Sequence, residues 1–272
     1  MINYRTSTSN QYSDKFKKKG YLILKTKNNN SLKYLQKKIL QIIFKECKIK
    51  VPKNLLNEEF LNNFHKKIKH SDLNEHRVNI IRKINQDQNF KKNYFLSSKE
   101  IRYTLVGNEL SMQNRINLSI QFPNDKTSLL PLHSDIWSGD SPFEVVVWIP
   151  LVDCYGTKTM YILPPNHYKK VENNFKKFSN KSSNQLFNKI KKNLEWINIK
   201  FGEILIFNQA LPHGNIVNKE KETRWSMNCR FKSVFSPYGD KKIGEFFEPI
   251  TLRVASEIGI KYKLPEIKND KS

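Results

Sequence analysis

Apolar and polar residues alternate strictly over Arg115–Phe122. Ile116, Leu118, Ile120 and Phe122 fall on one side, and Asn117, Ser119 and Gln121 on the other. Successive side chains of a strand leave opposite faces, so a period of two predicts a β-strand with one apolar and one polar face. The alternation returns in Thr223–Phe231, with Trp225, Met227, Cys229 and Phe231 opposite Arg224, Ser226, Asn228 and Arg230. Between these two, Phe143–Leu151, Thr159–Leu163, Trp196–Lys200 and Glu203–Phe207 are rich in β-branched and aromatic residues and read as further strands. Pro164-Pro-Asn-His167 ends one of them as a turn, and Gly202 turns the chain into the last.

A helical period governs the first hundred residues. Phe16–Lys19 reads as a helix end that passes through Gly20 into a short strand, Tyr21–Lys25. Asn28–Ser31 offers an N-cap, after which Leu35, Ile39, Ile42, Ile43 and Phe44 recur at helical spacing. Two more helices are expected between Pro52 and Gln88, one carrying Leu55, Phe60, Phe64 and Ile68, the other Val78, Ile81 and Ile84. Ser97-Ser-Lys-Glu100 has the form of a capping box opening a helix through Leu105. The expectation is one domain: residues 1–106 mostly helical, a β core over 107–240 with a Lys-, Asn- and Ser-rich surface insertion near 169–192, and a C-terminal extension over 241–272.

Composition changes this picture little. The net charge of +23 invites a nucleic-acid reading, yet only eight of the 48 basic residues are Arg, and the Lys are spread over the whole chain. Base and phosphate recognition leans on Arg as well, so a solvated basic surface is the simpler account. Such a surface could still draw in a phosphorylated or nucleotide-linked substrate. Cys47, Cys154 and Cys229 are widely spaced and are expected to be reduced and passive. No apolar run reaches eighteen residues, and Met1–Ser7 lacks the apolar stretch of a signal peptide, so a soluble, cytoplasmic protein is expected.

The candidate chemistry centres on Leu130-Pro-Leu-His133-Ser-Asp135. Read as a strand, this segment puts His133 and Asp135 on one face. His213, in Leu211-Pro-His213-Gly beyond Glu203–Phe207, supplies a third group if that strand folds back beside the first. Two imidazoles and a carboxylate on one side of a metal leave the other side open, an arrangement that suits non-haem Fe(II). The alternative is a pair of buried histidines satisfied by carboxylates. A strand face carrying Arg224, Ser226, Asn228 and Arg230 beside such a site reads as an anion site. Gln113, Asn117, Gln121 and Glu144 are pocket candidates on facing grounds. Glu144 opens an apolar strand, where an unpaired charge is costly, and so either faces the pocket or pairs with a Lys at the strand edge. Trp137 and Trp148 read as wall or core residues, or as an aromatic flank for a substrate. His65, His70 and His76 read as surface or packing residues, and His167 as a framework hydrogen-bonding residue.

These residues carry a family resemblance. His133-x-Asp135 with the distal His213, the Gly202-Glu-Ile-Leu-Ile-Phe207 strand before it, the Pro164–His167 turn, the Phe16–Leu22 opening and Arg224 eleven residues past His213 resemble the Fe(II)/2-oxoglutarate-dependent dioxygenases, in particular the phytanoyl-CoA dioxygenase-like branch. Pro131–Asp135, Ser141–Leu151 and Asn228–Tyr238 further resemble oxygenases of sporadically distributed carbohydrate-biosynthesis clusters. The resemblance implies a mainly β fold with flanking helices, a double-stranded β-helix (jelly-roll, cupin-like) barrel. It implies Fe(II) on His133, Asp135 and His213, O2 as oxidant, and 2-oxoglutarate held by Arg224 and Ser226. Asn228 and Arg230 would assist with the cosubstrate or touch the substrate, or Arg230 would pair with an acid of the barrel wall. The expected partner is a small molecule, a sugar or nucleotide-linked sugar, oxidised with release of succinate and CO2. Asp135 favours hydroxylation or another oxidation over halogenation, because related halogenases lack that carboxylate. A nucleic-acid dealkylating oxygenase and a non-redox metal-binding barrel are the competing readings.

Overall fold

The computed structural model describes residues 11–178 and 182–263, with the side chains of residues 175 and 178 left out. The Met1–Ser7 stretch, part of the insertion and the end of the C-terminal extension lie outside the described residues. The N-terminal part runs α1 (Gln11–Lys19), β1 (Tyr21–Lys25), α2 (Asn29–Glu46), α3 (Asn57–Asn62), α4 (Leu73–Gln86), α5 (Gln88–Ser97) and α6 (Lys99–Leu105). Strands β2 (Leu110–Gln113), β3 (Asn117–Gln121), β4 (Val145–Pro150) and β5 (Tyr161–Ile162) follow. Helices α7 (Pro165–Glu172), α8 (Phe175–Phe178) and α9 (Ser183–Ile190) then lead to β6 (Glu195–Trp196), β7 (Glu203–Asn208), β8 (His213–Gly214), β9 (Arg224–Ser233), β10 (Phe247–Thr251) and α10 (Val254–Lys261).

The strands form two antiparallel sheets. The larger has the order β1-β7-β4-β9-β2-β10, with β3 also on β9, and the smaller the order β6-β5-β8. The jelly roll is not closed into a continuous barrel. Strand β9 organises it: one edge pairs with β4 from Val145↔Phe231 to Pro150↔Ser226, the other with β3 from Asn117↔Asn228 to Gln121↔Arg224. The predicted alternation holds along β9, since Trp225, Met227, Cys229 and Phe231 are fully buried in the core against the helices. Burying each such side chain contributes roughly 1.5–3 kcal/mol.

Helix α2 packs against α4 and α5 and buries Leu32, Leu35, Ile39, Leu40 and Ile43 in the core shared with the large sheet. Its start is capped as expected, Asn28 Oδ1 accepting from the Ser31 N–H at 3.1 Å. Gly20 ends α1 with φ +75°, and a Cβ there would lie 2.2 Å from Leu211 Cδ1, so only glycine lets β1 enter beside the segment that leads to His213.

Several local expectations are corrected. The capping box at Ser97–Glu100 does not form. Ser97 ends α5 with its hydroxyl donating to Tyr94 O at 2.7 Å, and Ser98 Oγ accepts from Arg102 Nε at 3.0 Å. Helix α5 itself was not anticipated; Asp87 caps it through Phe90 N, and it buries Phe90 and Tyr94. On α4 the buried residues are Leu73, Ile80 and Ile84, whereas Val78 is 52% exposed. Pro164–His167 is the start of α7 rather than a turn, with Pro165 in the first helical turn, where a missing N–H costs nothing. Trp196–Lys200 gives only β6 and a bridge from Ile199 to Cys154. The three cysteines are free. No helix among the described residues is long and apolar enough to cross a membrane.

Candidate metal centre and its cavity

His133 and His213 are brought together by the backbone. They form an isolated antiparallel bridge in which each N–H donates to the other's carbonyl, at 3.0 and 2.8 Å, and their rings lie 4.4 Å apart. This corrects one expectation: the strand beside His133 is the short β8, not β7, which pairs with β1 and β4. The glycine after His213 is required by this approach, because a Cβ on Gly214 would lie 2.7 Å from both Leu130 O and Tyr161 Oη.

Both rings are fixed in the same way. His133 Nδ1 lies 2.7 Å from Pro131 O and His213 Nδ1 2.8 Å from Leu211 O, each a carbonyl two residues earlier. A carbonyl can only accept, so Nδ1 carries a proton in both rings; the Nε2 lone pair is free in His213, and in His133 it becomes free once Nε2 gives up the proton it shares with Asp135. Asp135 is not on a strand. It opens a 3-10 turn, Asp135–Ser138, and its N–H donates to Gln209 O at 3.2 Å. Its Oδ1 lies 3.5 Å from His133 Nε2, and its Oδ2 lies 3.0 Å from Arg230 Nη2. The three side chains each offer a ligand atom, all within 4.8 Å of one another, and among the described residues they form the group that could hold a metal ion.

The electrostatics favour a cation there. Burial works against a charge on Asp135, but the hydrogen bond from His133 and the positive charges around it prevail and hold it well below the usual carboxylate range. Burial pushes His213 down to about 4, so that it is neutral at pH 7. His133 is also penalised by burial, yet its hydrogen bond to Asp135 raises it overall.

The cluster opens into a cavity of about 460 Å3, within the roughly 300–1,000 Å3 typical of small-molecule sites. Val146, Trp148, Met160 and Phe207 supply apolar wall. Arg224, at the start of β9, is 3% exposed and lines the same cavity. Its Nη1 donates to Thr159 O at 3.2 Å and its Nη2 to Ser119 Oγ at 2.6 Å. Nε is buried without a partner, as is Ser226 Oγ two residues along the same face. No carboxylate among the described residues comes within 4.0 Å of the Arg224 guanidinium. Burial lowers it to about 10, which leaves it charged at neutral pH. A buried, uncompensated guanidinium with a donor to spare is a site for a carboxylate.

The other candidates separate into two groups. Asn117 and Asn228 line the cavity as a pair, Asn117 Nδ2 donating to Asn228 Oδ1 at 2.8 Å. Arg230 lines it too, committed to Asp135, with Asp140 Oδ2 3.7 Å away and Nε donating to Gln209 Oε1 at 3.0 Å. Gln113, Gln121, Glu144, Trp137 and Ser226 do not line it. Gln113 backs Arg230, its Oε1 accepting from the Arg230 N–H at 3.3 Å. Gln121 Nε2 ties β3 to Ile216 O at 2.9 Å. Glu144 neither faces the cavity nor pairs with a Lys: its Oε2 accepts from Gln209 Nε2 at 2.8 Å. Burial raises Glu144 above the ordinary range, against the pull of that hydrogen bond. Trp137 packs partly buried against the cluster of Leu132, Tyr161 and Leu163. His65 meets Thr223, His70 lies 3.5 Å from Asp125, and neither they nor His76 and His167 join the metal group.

Two functional neighbours escaped the sequence. Ser119 holds Arg224, and its position on the polar face of an alternating strand was the available signal. Gln209 joins Glu144 to Arg230 and hence to Asp135, and no local pattern marks it.

No protein-family model matches the chain, and no curated protein matches it in sequence. Solved structures do match in shape. EctD from S. alaskensis, solved with 2-oxoglutarate and 5-hydroxyectoine, has a TM-score of 0.54 at 14% identity, over 85% of this chain and 78% of that one. The nickel complex of the non-haem monooxygenase ThoJ gives 0.51 at 12% identity, over 88% and 84%. HygX from Streptomyces hygroscopicus, with nickel and 2-oxoglutarate bound, gives 0.50 at 11% identity, over 86% and 90%. At such identities the likeness establishes the fold: this chain has the jelly roll seen in non-haem, 2-oxoglutarate-binding enzymes.

Proposed function

We propose that the chain is an Fe(II)- and 2-oxoglutarate-dependent oxygenase that hydroxylates or otherwise oxidises a small, sugar-derived molecule. The observation that carries this reading is Arg224: a buried guanidinium with no acid partner and a free Nε, in the cavity that holds His133, Asp135 and His213. The donor set fits the metal, since two neutral imidazoles and one carboxylate on one side leave the other side to ligands. In this reading the three side chains hold the iron, and Arg224 receives the distal carboxylate of 2-oxoglutarate, with Ser226 behind it rather than in the cavity. When bound, iron and 2-oxoglutarate supply the oxidising power, O2 being consumed as the cosubstrate is decarboxylated to succinate and CO2 and one oxygen atom is transferred to the substrate.

The chain's own residues do the rest. Pro131 O and Leu211 O keep the Nδ1 protons in place, so that both Nε2 atoms are available. Arg230 occupies Asp135 Oδ2 and leaves Oδ1 toward the imidazoles. Val146, Trp148, Met160 and Phe207 exclude water from the reacting region, and the Asn117–Asn228 amides offer hydrogen bonds to a hydroxylated substrate body. A non-redox metal-binding barrel would leave the Arg224 charge buried to no purpose. The test is Fe(II)-dependent release of succinate from 2-oxoglutarate by the purified protein under air. Measurable release that disappears in Arg224→Met is expected; well-folded, iron-loaded protein that releases none would overturn the proposal.

A further inference from the structure

Among the described residues the cavity is lined by three arginines, Arg77, Arg224 and Arg230, against a single carboxylate, Asp135. Arg230 is paired with that carboxylate. Arg224 is assigned above to the cosubstrate, and the inference here rests on that reading, because it leaves Arg77 as the unassigned cation. Arg77 projects from α4 into the cavity, half-buried. Its Nη1 donates to Ser128 Oγ at 2.6 Å and its Nη2 to Asn74 Oδ1 at 2.7 Å. Both partners are neutral. They fix the guanidinium without cancelling its charge, and no carboxylate among the described residues lies within 4.0 Å of it. The acid Asp125 accepts from Thr127 N and Oγ1 at 2.7 Å, with His70 3.5 Å away, and it neighbours the Ser128 hydroxyl but makes no ion pair with Arg77.

The clamp is built into the metal-bearing segments. Ser128 Oγ donates in turn to Ile120 O at 3.0 Å, which orients its lone pairs toward Arg77. Asn215, two residues past His213, accepts from Leu130 N at 2.6 Å and donates to Ser128 O at 3.3 Å. The strand carrying His213 and the loop carrying His133 therefore set the position of Ser128, and through it that of Arg77. Thr127, Ser128 and Asn215 add hydroxyl and amide groups to this end of the cavity, while Ile81, Leu118 and Leu130 keep its walls apolar.

We infer that Arg77 is the specificity-determining residue for the primary substrate, which carries an anionic group, a phosphate ester or a carboxylate, that docks on Arg77 while its body lies toward the iron. A guanidinium is suited to either group because its planar donors match paired oxygens. Arg77 touches neither the metal ligands nor Arg224 in the hydrogen-bond network, so its removal spares the cosubstrate.

The test uses the full chain loaded with Ni(II) and 2-oxoglutarate, which does not turn over. A panel of hexose phosphates, hexuronates and the matching neutral hexoses is titrated by calorimetry. An anionic member is expected to bind more tightly than its neutral counterpart, and phosphate against uronate tells which source of charge is recognised. Arg77→Gln should weaken that binding about 10- to 100-fold, the loss expected for charge-assisted hydrogen bonds, with 2-oxoglutarate affinity unchanged as the control for folding. Arg77→Lys should recover part of it. Equal binding of charged and neutral members, or an Arg77→Gln protein that binds the anion as tightly as wild type, overturns the inference; so does loss of 2-oxoglutarate affinity in Arg77→Gln. If wild type itself does not bind 2-oxoglutarate, the oxygenase reading fails first; if it does and only the anion dependence is missing, Arg77 alone is misassigned.

Discussion

Replacing Arg224 with Met should move folding stability and ligand binding in opposite directions. In the ligand-free protein Arg224 is 3% exposed and has no acid partner among the described residues. Its compensation is limited to Thr159 O at 3.2 Å and Ser119 Oγ at 2.6 Å. Exchanging buried ionic groups for apolar side chains of similar volume is often stabilising by about 1–4 kcal/mol. Leaving Ser119 Oγ and Thr159 O without this donor takes back roughly 1–2 kcal/mol. The net expectation is a gain of the order of 1 kcal/mol, read as a rise in Tm of about 2–4 °C for a chain of this size. Binding should go the other way. Truncating one partner of a buried, hydrogen-bonded charge pair costs about 2–5 kcal/mol, which predicts a 2-oxoglutarate affinity lower by some 30- to 5,000-fold. At a concentration 100 times the wild-type Kd, 2-oxoglutarate should stabilise wild type by about 2.7 kcal/mol and a variant weakened 100-fold by about 0.4 kcal/mol. Calorimetric titration of the Ni(II)-loaded proteins gives the affinities and differential scanning calorimetry the stabilities, with Ni(II) affinity as the internal control. A ligand-free protein destabilised by more than about 2 kcal/mol, with 2-oxoglutarate affinity within threefold of wild type, would make Arg224 a structural residue and refute the reasoning.

Other consequences follow from the same contacts. Asp135→Ala removes a ligand and strips Arg230 of its 3.0 Å partner, so the thermal stabilisation by Ni(II) should vanish; retained stabilisation would mean that the ion sits elsewhere. Gly214→Ala forces a Cβ to 2.7 Å from Leu130 O, and should part the His133–His213 bridge and lower metal affinity, measured by competition with a chelator. Gln209→Leu leaves Glu144 Oε2 and Arg230 Nε without their amide partner and should cost roughly 1–3 kcal/mol in urea unfolding. For Glu144 the folded pKa lies above the unfolded value of 4.5, so its contribution is fully present below that pH and is lost as pH rises through the folded pKa. Glu144→Gln should therefore flatten the decline of stability with pH above 4.5, and an unchanged pH profile would contradict this.

The parts legible in the sequence were those that a period of two controls. The facing of Arg224 follows from the alternation in β9, and the buried Trp225, Met227, Cys229 and Phe231 keep that register, because a slip of one residue would put Arg224 in the core. The pairing of His133 with His213 was approached through the wrong strand. The segment between Asn208 and His213 crosses from the large sheet to the small one, and nothing in its composition marks the crossing. Asp135 reaches the metal group by a 3-10 turn, where a strand had been expected to hold it. Helix α5 was hidden because its buried residues, Phe90, Tyr94 and Ser97, include only two large apolar positions in an otherwise polar stretch. The assignment of Gln113 and Glu144 to a pocket failed for a more general reason. Facing alone does not separate a cavity wall from a buried network, and here the amide of Gln209 closes such a network behind Arg230.

The central claim is that one cavity holds a metal on His133, Asp135 and His213 and a keto acid on Arg224. Anaerobic titration of the Fe(II)-loaded protein with 2-oxoglutarate, followed by visible absorption, tests both halves at once. The account predicts a metal-to-ligand charge-transfer band that saturates at one equivalent and is shifted to far higher 2-oxoglutarate concentration by Arg224→Met. A folded protein that binds iron but develops no band, or a band indifferent to Arg224, would contradict it.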